Sequence, residues 1–189
     1  MPDAFLGDGL IFEDALPLAW TLGPLADASG LARLNADNHQ LLVSESTLDE
    51  VRVHEALKDE SPALVHELQR LDFKLNVLLK LVAELATRQY GLPSPRRVRF
   101  SSTGLEWIGD DAPAIGSGGL LMLYVNPTLP HPLMLPATVV GEVLHNELRA
   151  AQLKFTGLSE SVVELIQKFI FRHHRRLVAG SRLTAAHSP

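Results

Sequence analysis

The sequence contains no cysteine. Disulfide bonds are therefore excluded, as are metal and redox sites built on thiolates, and a reducing compartment fits this composition. No run of about 18 apolar residues occurs, so we expect no membrane span. The N-terminal segment has no positively charged region and carries several acidic residues, which argues against a secretory signal. These absences together predict a cytoplasmic protein.

Basic residues are too few and too scattered to support broad nucleic-acid binding. The chain has 17 Lys and Arg against 22 Asp and Glu, which gives a formal net charge of −5. Non-specific binding to nucleic acid depends on a basic face that neutralises phosphates, so we expect no nucleic-acid partner. Hydrophobic residues make up 46% of the chain, which is enough for a real core.

The familiar catalytic and metal-binding motifs are also missing. The sequence has no GxSxG, no P-loop and no GxGxxG, and its eight histidines include no HxxxH or HExxH pair. Adjacent His173 and His174 would point to different faces of a helix. We therefore expect no metal, no cofactor and no enzymatic activity, with a hydrolase of unknown type kept only as a third alternative.

Short apolar runs separated by turn residues lie on both sides of a helical middle zone. Such runs predict strands of a barrel or sandwich, and Ser161 with Glu164 forms a capping box that predicts a last helix over residues 161–177. The predicted strands cover residues 10–12, 16–22, 97–101, 105–108, 120–125, 133–135, 138–144 and 147–155.

The middle zone predicts helices over residues 31–43, 47–59 and 62–90. Serine before proline at Ser61–Pro62 is a good start signal for the third helix, and Gly91 ends it. Within this helix, aliphatic residues follow one another at spacings of four and three, which is a heptad register over more than three repeats. The seven residues of this heptad stripe are Leu64, Leu68, Leu71, Leu75, Leu78, Val82 and Leu85.

A heptad period kept over this length indicates that the helix packs along a partner helix. The preceding predicted helix is only about half as long, so it cannot cover the stripe. We therefore predict self-association through the heptad stripe, with packing inside the same chain as the alternative. The apolar face widens toward the C-terminal end through Leu79 and Leu81, which favours a tetramer. Leucine at both core positions specifies the copy number poorly, so a dimer stays open.

Two segments resemble a known family. Residues 97–107 resemble the second-strand motif of PilZ domains, written (D/N)xSxxG, with Ser101 and Gly104 at the serine and glycine positions and Arg99 at the acidic or amide position. Residues 151–171 resemble the closing strand and C-terminal helix of that family. The resemblance implies an α+β fold, in which a six-stranded antiparallel PilZ-like β-barrel with a C-terminal helix comprises residues 1–30 and 91–189. Residues 31–90 are then an inserted, coiled-coil-type helical region for oligomerisation.

Typical PilZ domains bind cyclic di-GMP through this motif and through an RxxxR before the first strand. This sequence has no arginine before Arg33, and Arg99 replaces the acidic or amide acceptor. We therefore expect no tight binding of cyclic di-GMP, and any ligand role of Arg99, Ser101 and Gly104 is doubtful.

The resemblance implies a non-enzymatic signalling or adaptor protein that contacts an unidentified bacterial signalling protein in pilus, motility, biofilm or virulence regulation. The alternative is an oligomeric cyclic di-GMP receptor with atypical or weak binding.

Overall fold

The computed structural model describes residues 5–7, 9–48, 62–126 and 131–185, which form six strands and three helices. In chain order the elements are β1 (Phe12–Leu22), α1 (Ala28–Leu48), α2 (Pro62–Tyr90), β2 (Pro95–Phe100), β3 (Gly104–Ile108), β4 (Gly118–Leu123), β5 (Leu133–His145), β6 (Leu148–Phe155) and α3 (Glu160–Ala185).

The six strands close into an antiparallel barrel in the order β1-β2-β3-β6-β5-β4. Alternate side chains point inward, as the period of two along a strand requires. In β4, for example, Leu121 and Leu123 are fully buried, while Met122 between them is only half-buried. The predicted α+β class, with a six-stranded antiparallel barrel and a C-terminal helix, is confirmed.

Two predicted pairs of short strands are single long strands in the structure. β1 pairs with β2 over its first half and with β4 over its second half, and it changes partner after Pro17. β5 likewise runs from β4 to β6, with a bulge between Val139 and Gly141. A bulge bends a strand and increases its twist, so a strand that looks interrupted in sequence continues around the barrel wall.

Helix α3 covers one end of the barrel. Its apolar face buries Val162, Ile166 and Ile170, and the ring of Phe169 stacks 5.8 Å from that of Phe12 on β1. The helix begins one residue earlier than predicted, because Ser159 rather than Ser161 accepts the N-terminal bond from the amide of Val162, at 3.4 Å. It also continues past Gly180 to Ala185.

Helix α1 packs against β5 and α3, and two of its asparagines hydrogen-bond to backbone groups there. Asn38 donates to the carbonyl of Met134 and accepts from the Met134 amide, both at 2.8 Å. Asn35 accepts from the amide of Ser159 at 2.9 Å. These asparagines weaken the local helix signal, yet they satisfy backbone groups of β5 and of Ser159, the residue before α3. The helix predicted over residues 31–43 is confirmed, and it is longer than predicted at both ends. The helix predicted over residues 47–59 lies outside the described residues except for its first two residues.

Helix α2 has 29 residues and is therefore about 43 Å long. Its two ends agree with the predicted start at Pro62 and stop before Gly91. Every member of the heptad stripe is at least 36% exposed, and Leu85 reaches 65%. Among the described residues, no helix is both long and apolar enough to cross a membrane.

Candidate functional site

The motif that resembles the family lies in the hairpin between β2 and β3. The amide of Ser101 donates to the carbonyl of Gly104 at 2.9 Å and closes the turn. The hydroxyl of Ser101 accepts from the amide of Thr103 at 3.2 Å and contacts the Thr103 hydroxyl at 2.9 Å. Both bonds of this side chain are made inside the turn, so the motif serine stabilises the hairpin.

Gly104 has neighbours where a side chain would be. A Cβ built on this residue would lie 2.8 Å from the carbonyl oxygen of Leu153 and 2.9 Å from the ring of Phe5. Glycine is therefore needed for the close approach of β3 to β6. The ring of Phe5, from the N-terminal segment, lies over this glycine on the outside of the barrel, so the glycine's backbone is covered.

A row of polar side chains crosses the outer face of the barrel. Glu13 on β1 lies opposite Arg99 on β2, Arg99 lies opposite Glu106 on β3, and Glu106 lies opposite Gln152 on β6. Residues that are paired across antiparallel strands point to the same face, so these four side chains are neighbours. We call Glu13, Arg99, Glu106 and Gln152, together with His145, the outer polar row.

Glu106 is the centre of the outer polar row, and its side chain is fully buried. Its Oε2 accepts from Nη1 of Arg99 at 2.9 Å and lies 2.9 Å from Nε2 of His145. Its Oε1 accepts from Nε2 of Gln152 at 3.1 Å. A buried carboxylate is tolerated only when charged and polar donors surround it, and these three side chains meet that need.

Arg99 therefore has a structural partner at the position where the family motif has an acid or amide. Its Nε also lies 3.6 Å from Oε2 of Glu13, and only 15% of its side chain is exposed. Sequence reasoning identified Arg99 but missed Glu106 and His145. The symmetry of the hairpin about its turn could have revealed Glu106, because residues 99 and 106 are equidistant from a turn centred between Ser102 and Thr103.

A cavity of about 230 Å³ adjoins this row and is bordered by the tip of the β5–β6 hairpin. Asn146 and Glu147 at that tip have φ of 49° and 69°, which is the backbone of a type I′ turn. At the base of the tip, the hydrogen bond from Arg149 lowers the pKa of the Glu142 carboxyl and raises the pKa of the Arg149 guanidinium. The cavity is lined by Glu13, Arg97, Arg99, Ile108, His145, Asn146 and Leu148.

The predicted site residues fall in two separate places. Arg99, Ser101 and Gly104 come together in the β2–β3 hairpin, whereas the heptad stripe lies along α2. Among the described residues, no group of three or more histidine, aspartate or glutamate side chains is placed to hold a metal ion.

Comparison with known proteins agrees with this architecture. Residues 42–183 match the family model described as "Atypical PilZ domain, cyclic di-GMP receptor". Because the match covers most of the chain, the protein belongs to the atypical PilZ domain family. This is a family of receptor domains rather than of enzymes.

A solved structure from Xanthomonas campestris is similar over nearly its whole length. It is 25% identical to this chain, with a TM-score of 0.73 over 94% of each chain. That protein is described as a pathogenic protein and a tetrameric PilZ domain, self-assembled via an unusual helical bundle. No curated protein matches this sequence.

Proposed function

We propose that this chain is a non-enzymatic PilZ-type signalling or adaptor protein that forms homo-oligomers through α2. In this proposal it acts by protein–protein contacts in bacterial second-messenger-linked regulation of pili and motility, biofilm or virulence, and it is cytoplasmic. The observation that carries the proposal is the exposure of the whole heptad stripe. The barrel formed by residues 1–30 and 91–189 would present the partner-binding surface, and the inserted region 31–90 would set the copy number.

The heptad stripe gives a physical reason for assembly. Leu71, Leu75 and Leu78 are 47%, 58% and 57% exposed, and Val82 and Leu85 are more exposed still. Removing each such half-exposed side chain from water contributes about 1 kcal/mol. In a helix–helix seam between copies, these contributions would add up over more than three heptads. Their sum supports an oligomer that is stable despite the entropic cost of association.

The tetramer remains the favoured state. The described assembly of the Xanthomonas campestris protein through a helical bundle supports it, because that protein is similar to this chain over 94% of its length. The exposed Leu81, beside the stripe, widens the apolar face, as contacts with more than one neighbour require. A dimer is the alternative copy number.

The outer polar row supports an adaptor that lacks the usual contacts to cyclic di-GMP. Binding of a guanine base at the motif would need an acceptor at position 99, and this position holds an arginine whose Nη1 donates to the buried Glu106. The sequence supplies no RxxxR before β1. Both losses remove contacts to phosphate and base, so we expect no tight binding of cyclic di-GMP.

A weak cyclic di-GMP receptor is the second candidate, and two observations favour it. The family model is described as a cyclic di-GMP receptor, and Arg97 at the cavity beside the outer polar row has a side chain that is 61% exposed. A guanidinium in this position can contact phosphate. Several copies in one oligomer would add avidity for a partner that presents repeated ligands.

Light scattering coupled to gel filtration tests the assembly. We expect the wild-type chain to elute as an oligomer, and Leu71→Asp combined with Leu78→Asp to yield monomers with an unchanged barrel signal in circular dichroism. The matched control is Phe73→Asp combined with Val77→Asp, which adds the same two charges to exposed positions of α2 outside the seam. A monomeric wild-type chain at micromolar concentration contradicts the proposal.

Calorimetric titration separates the adaptor from the receptor. With cyclic di-GMP at micromolar protein concentration, we expect no saturating heat. A clear saturating isotherm that is lost in Arg97→Ala would favour the receptor and reject the adaptor.

A further inference from the structure

Positive charge is concentrated at the end of the chain, on helix α3. Five of the 17 Lys and Arg follow Glu164, and none of the 22 Asp and Glu does. The charged side chains after Glu164 are therefore all cationic, whereas the rest of the chain is acidic overall. Such segregation of charge along a chain is typical of a surface that contacts a negatively charged partner.

The solvent side of α3 combines these cations with an exposed aromatic ring. Lys168, Phe171, Arg172 and Arg175 follow one another at helical spacings of three and four, so they share one side of the helix, which we call the basic α3 face. Phe171 is 51% exposed, although the opposite side of the helix is packed on the barrel. An open hollow of about 460 Å³ lies along this face and is lined by Glu164, Gln167, Lys168, Phe171 and Arg172.

Two cations lie on either side of the exposed ring. The guanidinium of Arg175 lies over the ring of Phe171, with its Cζ 5.9 Å from the ring centroid, which is a cation–π distance. Lys168 is 68% exposed, and its Nζ is 3.9 Å from Oε2 of Glu164. An exposed ion pair at this distance contributes little, so Lys168 remains available to a stronger anionic partner beside the apolar ring.

Arg172 adds a donor that the described chain does not satisfy. Its Nε is buried and has no hydrogen-bond acceptor among the described residues. Buried donors almost always have a partner, so this one indicates an acceptor from outside the chain. The helix itself is fixed beside the hollow, because Nε2 of Gln167 donates to the hydroxyl of Ser102 in the β2–β3 turn at 3.2 Å.

From these observations we propose that the basic α3 face docks an acidic, amphipathic segment of a partner protein. An apolar side chain of this segment covers the ring of Phe171, and carboxylates beside it contact Lys168, Arg172 and Arg175. The inference rests on the proposed adaptor function, for which it names the chemistry of the partner.

The distribution of charge favours a short protein segment over a larger polyanion. A membrane surface or a nucleic acid is an extended array of negative charges, and it reaches beyond the basic α3 face to the acidic remainder of the chain, which repels it. A short segment meets only the basic face. Its apolar side chain also fills the hollow, which a flat lipid surface does not.

Fluorescence anisotropy with the full-length protein tests the docking. The probe is a labelled synthetic helical peptide with leucines along one side and glutamates flanking them. We expect saturable binding that weakens as salt is raised, because exposed charges are screened. The same peptide with glutamine at every glutamate position should bind about tenfold more weakly. Equal binding of both peptides contradicts the proposal, as does saturable binding to phosphatidylglycerol vesicles without binding to the glutamate peptide.

Charge-reversal variants locate the contact. Lys168→Glu combined with Arg175→Glu should weaken binding of the glutamate peptide by about tenfold or more, and Phe171→Ala should weaken it several-fold. The matched control is Arg33→Glu combined with Lys154→Glu, which reverses two exposed cations on α1 and β6 and should bind as the wild type does. If this control loses as much affinity, net charge alone governs binding and the proposed face is wrong.

Light scattering of the same variants separates this inference from the assembly through α2. We expect both double variants to keep the wild-type mass. A lower mass in the α3 variant would show that the basic α3 face contacts a second copy, which overturns the proposal. A monomeric wild-type chain that still binds the glutamate peptide rejects the assembly and retains the acidic partner, whereas an oligomer that binds no peptide rejects only the docking at α3.

Discussion

Nη1 of Arg99 donates to Oε2 of Glu106 at 2.9 Å, and this bond joins the substituted position of the motif to a carboxylate that is fully buried. The arginine that removes a ligand acceptor from the barrel surface thus neutralises a charge that β3 buries. Glu106 is also contacted by His145 of β5 and Gln152 of β6. Its side chain therefore connects β2 to β5 and β6 on the outer face of the barrel.

Removing one partner of this pair should be costly. Arg99→Ala leaves the buried Glu106 without its cation, and we expect a loss of about 3 kcal/mol in the free energy of unfolding. Denaturant unfolding measures it. Arg97→Ala, with its exposed side chain on the same strand, should change stability by less than about 1 kcal/mol.

The double variant gives a sharper result. Arg99→Met with Glu106→Met removes both charges together and should be at least about 1 kcal/mol more stable than Arg99→Ala. If the single and double variants lose the same free energy, the buried charge is not what the arginine stabilises.

The crowding around Gly104 predicts that even a methyl group destabilises the hairpin. In Gly104→Ala the new Cβ meets a backbone oxygen, which cannot move aside as a flexible side chain can. We expect a loss of about 1–3 kcal/mol, measured by denaturant unfolding. Gly23→Ala is the matched control, since nothing lies within 4 Å of a Cβ there. Equal stability of the two variants would contradict the close β3–β6 approach.

His173 predicts a pH dependence of stability. Burial lowers the pKa of His173 below its ordinary value of 6.5, and the repulsion from His174 adds to this while the charge of Asp14 opposes it. The unfolded chain therefore binds more protons as the pH falls below about 6.5. Stability is full above this pH and declines below it, until the folded-state pKa is passed.

The variant His173→Phe removes this proton, and a phenyl ring suits the contact with Phe12, whose ring centroid lies 4.2 Å away. Its stability should fall less steeply between pH 6.5 and lower pH, by up to about 1.4 kcal/mol per pH unit for one proton. Denaturant unfolding at several pH values measures the slope. His39→Gln keeps His173 and should keep the wild-type slope; an identical slope in all three proteins would show that His173 does not couple protonation to folding.

Local signals in the sequence were sufficient wherever the structure depends on neighbours along the chain. The ends of α2 follow from Ser61–Pro62 and Gly91, because proline at a helix start and glycine after its end act within one turn. The β2–β3 hairpin follows from two apolar runs around a polar turn. By contrast, α1 was predicted too short, since its asparagines are stabilised by Met134 and Ser159, which are distant in sequence.

The amino-acid sequence by itself predicted the short strands of a barrel or sandwich and the long helix with its heptad stripe, since these depend on residue type and local spacing. The choice of a six-stranded barrel and the loss of the usual motif side chains rest on the resemblance to PilZ domains. Only the tertiary structure decided that β1 and β5 run unbroken around the barrel, that Arg99 pairs with Glu106, and that Gln167 of α3 reaches Ser102 in the β2–β3 turn. Strand register and barrel closure bring these groups together, and both depend on contacts between residues far apart in the chain.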